Sequence, residues 1–216
     1  MGCSRGRGGE VNKRSEQGQA TREQLVAVAT ELFGTRGYEA TSIEAVLDAA
    51  GVSRGSLYHH FPSKEALFEA AMQAVETRVG EETLAAVEGT TDTASLLRAG
   101  CLAWIRIAGD PVVQRIILLD ALSVLGWERW RAIEEEHALG NIKQAMELAA
   151  LEGRIPSNLV DVFAHTLLAT MNELALLMVR ADDFAAAQRT AELAVDELLG
   201  RLLGAPSAPV SDARPS

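Results

Sequence analysis

The chain has 216 residues, 48% of them hydrophobic, with thirty acidic against twenty basic side chains and a formal charge of −10 at pH 7. That length and apolar content support a sizeable core, in one body or in a small domain joined to a larger one, while only two cysteines, Cys3 and Cys101, argue against a disulfide framework and fit a reducing compartment. Ala, Leu and Glu dominate, few stretches alternate with period two, and no glycine-rich nucleotide fingerprint follows a strand, so a doubly wound enzyme is excluded and an all-α chain is expected.

The charge is unevenly placed. Residues 1–64 hold eight Lys or Arg against seven Asp or Glu, whereas residues 65–216 hold twelve against twenty-three. An acidic body repels a polyanion, so nucleic acid is expected at the N-terminal face alone, held by a few cations and sensitive to salt. The opening MGCSRG has Gly6 where a myristoylated chain needs Ser or Thr, and no apolar run near the N-terminus is long enough for a signal peptide or a membrane span. A cytoplasmic location with no membrane attachment is expected.

In chain order, residues 1–18 are rich in Gly, Arg, Ser and Lys and read as a disordered basic arm whose Arg5, Arg7, Lys13 and Arg14 are able to enter a minor groove; a solvated tail with no role is the alternative. A helix is predicted over 21–36, with Leu25, Val28, Ala29, Leu32 and Phe33 as its buried stripe and Gly37 as its stop. Thr41, with Glu44 three residues on, reads as a capping box for the next helix, whose Ile43, Val46, Leu47 and Ala50 share a face. Gly51 ends that helix in the left-handed region and Val52 tucks inward. Ser53 then caps a second short helix in which Leu57 and Phe61 face the core while Arg54, Ser56, Tyr58 and His59 point outward.

Two short helices around a tight turn can set one of them in the major groove of DNA. Arg54 suits guanine or phosphate, the hydroxyls suit phosphate, and Tyr58 and His59 suit the backbone or a thymine methyl. Lys64 and the free N–H groups of the helix that starts there add a phosphate site. The candidate DNA-binding residues are therefore Thr41, Ser42, Ser53, Arg54, Gly55, Ser56, Tyr58, His59 and Lys64. Thr21 and Arg22 read equally well as phosphate contacts or as ordinary surface.

Four stretches, TELFGTRG from Thr30, YEATS from Tyr38, AGVS from Ala50 and GSLYHHFPSKEAL from Gly55, closely resemble the DNA-binding domain of the tetracycline-repressor-like (TetR-like) family of one-component bacterial regulators. They lie in about the first third of the chain, and Leu47 departs from the family by standing where a smaller residue is frequent, which bears on helix packing. The resemblance implies an N-terminal three-helix helix-turn-helix DNA-binding domain (19–64), joined by a connecting helix to a C-terminal helical ligand-binding and dimerisation domain (65–203). In that family the tilt of the connecting helix changes the separation of the two reading heads.

The connecting helix is predicted over 64–87, GTTDT at 89–93 is the clearest linker, and a helix then runs to 108 with Leu96, Leu97, Trp104 and Ile107 inward. Pro111 opens a short helix ending near 119–120, a longer helix is predicted over 127–152, and two more over 158–180 and 183–203 precede a tail, 204–216, expected to be disordered. The last two helices are apolar on more than one face, through Phe163, Leu167, Met171, Leu174 and Met178 on one and Phe184, Ala187, Ala191, Ala194, Leu198 and Leu202 on the other. The surplus predicts a second buried face, which the resemblance implies is a homodimer interface, or else extra intramolecular core.

Trp104, Ile107, Trp127, Trp130, His137, Met146, His165, Met171 and Asn172 supply aromatic and apolar surface with isolated polar groups, the makings of a pocket for a small apolar ligand, though each reads as core as well. Glu134, His137 and His165 make a sparse metal set with no Cys/His cluster behind it, so neither metal nor cofactor is expected. Glu134, Glu135 and Glu136 read as a solvated acidic face. No nucleophile, base and orienting group stand in a catalytic context, so no enzyme activity is expected. The expected function is a DNA-binding transcriptional regulator, and the resemblance implies a repressor that binds a palindromic operator as a dimer and is released by a small apolar ligand. The alternatives are an activator or ligand-independent regulator of the same fold, and a helical enzyme or lipid-binding bundle.

Overall fold

The structure, a computed structural model, describes residues 7–204, and among them every regular element is helical. The elements are α1 (Arg7–Arg36), α2 (Ile43–Ala50), α3 (Arg54–His60), α4 (Lys64–Val87), α5 (Thr93–Ile107), α6 (Pro111–Val113), α7 (Ala121–Glu136), α8 (Ala138–Leu151), α9 (Val160–Val179) and α10 (Phe184–Leu202). Between α6 and α7 the chain takes a π-helical path (Gln114–Asp120), and a short 3₁₀ turn (Ser157–Leu159) leads into α9. Short polar side chains start α2, α3, α5 and α10: Ser42, Ser53, Asp92 and Asp183 each accept the backbone N–H three residues on, at 2.9–3.2 Å. Each such cap is worth about 1 kcal/mol against alanine.

The chain forms two compact units. The first takes the chain through Val75 together with Pro111–Trp130, and the second takes Glu76–Asp110 and the chain from Arg131 onward. In the first unit Leu25, Ala29 and Phe33 of α1, Val46 of α2, Leu57 of α3, and Leu67 and Phe68 of α4 are fully buried. Phe33, Tyr38 and Phe68 meet at ring distances of 5.3–5.7 Å, so the α1–α2 turn is pinned by aromatic edges as well as by area.

The segment from Pro111 lies against α1 of this unit. A Cβ on Gly34 would stand 2.8 Å from Val112 Cγ2, and one on Gly37, whose φ is +83°, would stand 2.1 Å from Arg115 Nη2. Two glycines thus make a shelf that only hydrogen atoms leave open. At its end Asp120 Oδ2 accepts the Tyr38 backbone N–H at 2.8 Å and Arg115 Nε–H at 3.1 Å, which ties the π-helical turn to the loop before α2.

The second unit is a bundle of α5, α8, α9 and α10 around Leu97, Cys101, Ile105, Leu139, Met146, Leu167, Met171, Met178, Val195 and Leu199. Burial pushes the Cys101 thiol up to about 12, which makes it an inert apolar filler. α9 with its leading turn (Ser157–Val179) is long and apolar enough, at a mean hydropathy of 1.5, to pass for a membrane span, but Ala164, Leu167, Met171, Ala175 and Met178 are packed into the bundle.

Three expectations change. The arm expected over 1–18 is helical from Arg7, as a continuation of α1 that runs through Gly8, Gly9 and Gly18; just beyond it Gln19 and Glu23 bond across a turn at 2.8 Å. Arg5 and the tail beyond Gly204 lie outside the described residues. The single helix expected over 127–152 is two helices parted at His137, and α7 is itself kinked at Gly126, where φ is +73°. Gly140 permits the break, since a Cβ there would lie 2.5 Å from the Glu135 carbonyl oxygen. The expected boundary at 64–65 falls inside α4, whereas the compact units divide at Val75 and the first also includes Pro111–Trp130.

Candidate nucleic-acid interface

The candidate site is built on the α2–α3 turn of the first unit. Gly51, at φ +66°, ψ +29°, ends α2 and donates its N–H to the Leu47 carbonyl at 2.9 Å, while the Gln24 side chain of α1 donates to the Ala50 carbonyl at 2.9 Å. These bonds satisfy a helix end that would otherwise stay open, so the end of α2 from which the turn to α3 departs is held in place. Leu57 and Phe61 bury one flank of α3, and Arg22 lies over the Phe61 ring at 5.2 Å.

The opposite flank is open. Ser53, Arg54, Gly55, Tyr58 and His59 are exposed, Ser56 is half-buried, and Ser42 at the start of α2 is exposed beside them. Nothing lies within 4 Å of where a Gly55 Cβ would be. Arg54 Nη2 donates to Glu44 Oε1 of α2. The Glu44 carboxyl is held below the usual range, first by its own backbone N–H and next by Arg54. Lys64 is half-buried with its ammonium 4.0 Å from the centre of the Tyr38 ring, a cation–π contact that fixes the charge at the start of α4, where Ser63 accepts the Ala66 N–H at 3.1 Å. Donors, a cation and a helix N-terminus therefore share one structural unit, as phosphate and base contacts require.

Thr41 leaves the set. Its side chain is fully buried and its hydroxyl donates to the Gly37 and Leu32 carbonyls, at 2.8 and 3.2 Å. The helix cap expected of Thr41 is supplied by Ser42, and Glu44 turns to Arg54 instead of closing a capping box. A threonine next to a serine offers two possible caps, and the one with the methyl group goes inward.

The residues proposed for a ligand divide between the units. The Trp127 and Trp130 rings meet at 5.2 Å, tilted by 50°, in the first unit, with Trp127 59% exposed. Trp104, Ile107, His137, Met146, His165, Met171 and Asn172 are in the second. There Ile107, Met146 and Met171 are buried, and Trp104, half-buried, donates its Nε1–H to the Met171 carbonyl at 3.2 Å. His165 turns to the Asp161 carbonyl of its own helix at 2.8 Å, and His137 sits at the α7–α8 break. Among the described residues no three His, Cys, Asp or Glu side chains come together as a metal site would need.

Two residues of the second unit were missed or misread. Glu134, expected on a solvated face, is 2% exposed, and Glu76 of α4 is 3% exposed. Burial, then the charge of Glu134, pushes Glu76 up to about 8; burial pushes Glu134 up to about 7 against the pull of Arg131. Glu134 Oε2 meets no donor among the described residues. The signal was present in the spacing, since Glu76 stands four after Met72 and three before Val79 on the apolar stripe of α4.

Two family descriptions match the chain: "Bacterial regulatory proteins, tetR family" over residues 25–71, and "Tetracyclin repressor-like, C-terminal domain" over residues 94–202. The HTH-type transcriptional regulator AcrR of Shigella flexneri is 38% identical over 71 residues, 33% of this chain and 33% of its own, so the match spans about a third of that relative's length. The crystal structure of a TetR-family transcriptional regulator from Pectobacterium atrosepticum is 26% identical, with a TM-score of 0.74, and the match covers 89% of this chain and 98% of that one. The structure of AibR in complex with isovaleryl coenzyme A and operator DNA has a TM-score of 0.60 at 22% identity, over 85% of this chain and 98% of that one.

Proposed function

Since this chain belongs to the tetR family of bacterial regulatory proteins, and is by that membership a DNA-binding transcriptional regulator, we propose that it acts as a homodimeric repressor of a palindromic operator and is released by a small apolar ligand. The observation that carries this reading is the exposed row of Ser42, Ser53, Arg54, Tyr58 and His59 on a rigidly capped α2–α3 turn, with Lys64 beside it. A seven-residue helix such as α3 reads only a few base pairs. Two copies related by a twofold axis read half-sites about 34–36 Å apart or similar, which raises both affinity and specificity.

The second copy is argued from apolar surface. Leu148 and Leu151 of α8, Val162 and Leu177 of α9, and Leu193 and Leu198 of α10 are exposed although each helix already buries another stripe. That surplus suits a helical dimer interface, and residence in the cytoplasm is where such a regulator meets its operator. Repression follows from occupancy, because a dimer seated on a promoter excludes polymerase without further machinery.

For the ligand, the support is the apolar interior of the second unit around Trp104, Met146 and Met171, and AibR, in complex with isovaleryl coenzyme A and operator DNA, is a case in which this fold takes a ligand with an apolar acyl group. α4 runs through both units, so a ligand that prefers one arrangement of the second unit shifts the population available for DNA by its differential affinity. The test is selection of bound duplexes from a random pool at two salt concentrations, followed by thermal-shift screening of apolar acids and acyl thioesters against the selected operator. A palindrome whose binding falls steeply with salt is expected, and no enrichment by folded protein overturns the reading.

A further inference from the structure

Arg54 and Glu44 form an ion pair in the open, with side chains 56% and 62% exposed. A pair so solvated contributes little to stability, about 0–1 kcal/mol. It does have a cost, because Glu44 sets a negative charge on the face that must approach phosphates. Its effect is therefore to be sought in what it does to Arg54.

A guanidinium carries five N–H donors in a rigid planar fork. Engaging Nη2 with Glu44 biases the fork toward α2 and still leaves donors enough to span two acceptors. The neighbouring carboxylate opposes a phosphate, which is anionic, far more than it opposes guanine O6 and N7, which are neutral acceptors. Arg54 opens α3, Glu44 lies in the first turn of α2, and the Arg54 side chain is 56% exposed, so the rest of the fork is open to solvent.

We propose that Glu44 is a specificity-determining positioning residue, which holds Arg54 toward a guanine in each half-site and keeps it off the phosphates of unrelated DNA. This rests on the DNA-binding reading above. Glu44 lowers non-specific affinity and sharpens base choice, and Arg54 contributes its binding energy only where the guanine is present.

The experiment measures binding of wild type, Glu44→Ala, Glu44→Gln, Glu44→Asp and Arg54→Ala by fluorescence anisotropy. The duplexes are the selected operator, operators with each G·C pair replaced in turn, and a scrambled sequence, at three salt concentrations, with circular dichroism to check folding. Glu44→Ala and Glu44→Gln are expected to bind scrambled DNA about 3–10-fold more tightly, with a salt slope steeper by about one, and to lose discrimination at one G·C position per half-site. Arg54→Ala loses discrimination at the same position, and Glu44→Asp keeps most of it. Discrimination retained at every position in both Glu44→Ala and Glu44→Gln overturns the proposal, as does a parallel loss on all duplexes, the mark of a structural role. A wild type with no preference among duplexes overturns the DNA-reading function as well, which separates the two failures.

Discussion

Glu76→Gln is expected to stabilise the protein, by an amount that pH sets. The carboxyl is 3% exposed and its pKa stands at about 8, because burial and then the charge of Glu134 disfavour the ionised form. In the unfolded chain the same group ionises at its ordinary 4.5. Between those values the folded protein holds a proton that the unfolded chain releases. The stability is therefore fully present below pH 4.5 and is lost as pH rises, until the folded carboxyl ionises as well near 8. At pH 7 the loss is ~3 kcal/mol, from about 1.4 kcal/mol for each pH unit above 4.5. Gln has nearly the same shape and no proton to lose, so the variant gains that amount at neutral pH and almost nothing in acid. Urea denaturation at one protein concentration, at several pH values between about 5 and 8, measures the gap; the fixed concentration holds any contribution of self-association constant. A gap that does not widen with pH, or a Gln variant less stable than wild type at the alkaline end, refutes the reasoning.

Other substitutions separate structure from recognition. Thr41→Val removes a buried hydroxyl that serves two carbonyls and is expected to cost about 1–2 kcal/mol in denaturant melts, with base preference unchanged in the folded protein. Lys64→Ala is expected to weaken binding to all duplexes alike and to lower the salt slope by about one, read from affinity against salt concentration. Leu193→Glu alters a side chain that is 71% exposed in the single chain, so helix content should hold in circular dichroism while light scattering reports a monomer and operator affinity falls by about a hundredfold. A variant that stays dimeric with wild-type affinity would remove α10 from the interface.

The α2–α3 turn was legible in the sequence because everything that makes it is local: Gly51 for the positive φ, Ser53 for the cap, and Leu57 and Phe61 four apart. Thr41 was misplaced because its partners, the Leu32 and Gly37 carbonyls, belong to the end of α1, and a side chain's choice between two helices is not written in spacing. The start of α1 was placed too late since polar residues sustain a helix without an apolar stripe to announce it. Glu134 was assigned to water on the strength of two neighbouring glutamates, yet three consecutive residues on a helix point about 100° apart, and Glu135 and Glu136 are exposed where Glu134 is not. Residues 111–130 belong to the first unit through Asp120, Arg115 and Val112, contacts about eighty residues long in sequence that no local pattern encodes.

That last feature bears on how such regulators can be taken apart. A fragment ending at Val87 contains every helix of the reading head, yet it deprives the Tyr38 N–H of Asp120 and leaves Gly34 and Gly37 facing solvent. The turn that precedes α2 would then keep the Thr41 hydroxyl bonds and the ring contacts of Tyr38 but lose its tie to the segment after α6. A portable head is thus two strips of chain, the N-terminal one and Pro111–Trp130, and a chimera that exchanges the first without the second joins a foreign latch to a native loop. Grafts that carry both strips should retain operator choice, and recombination within this fold is constrained to move them together.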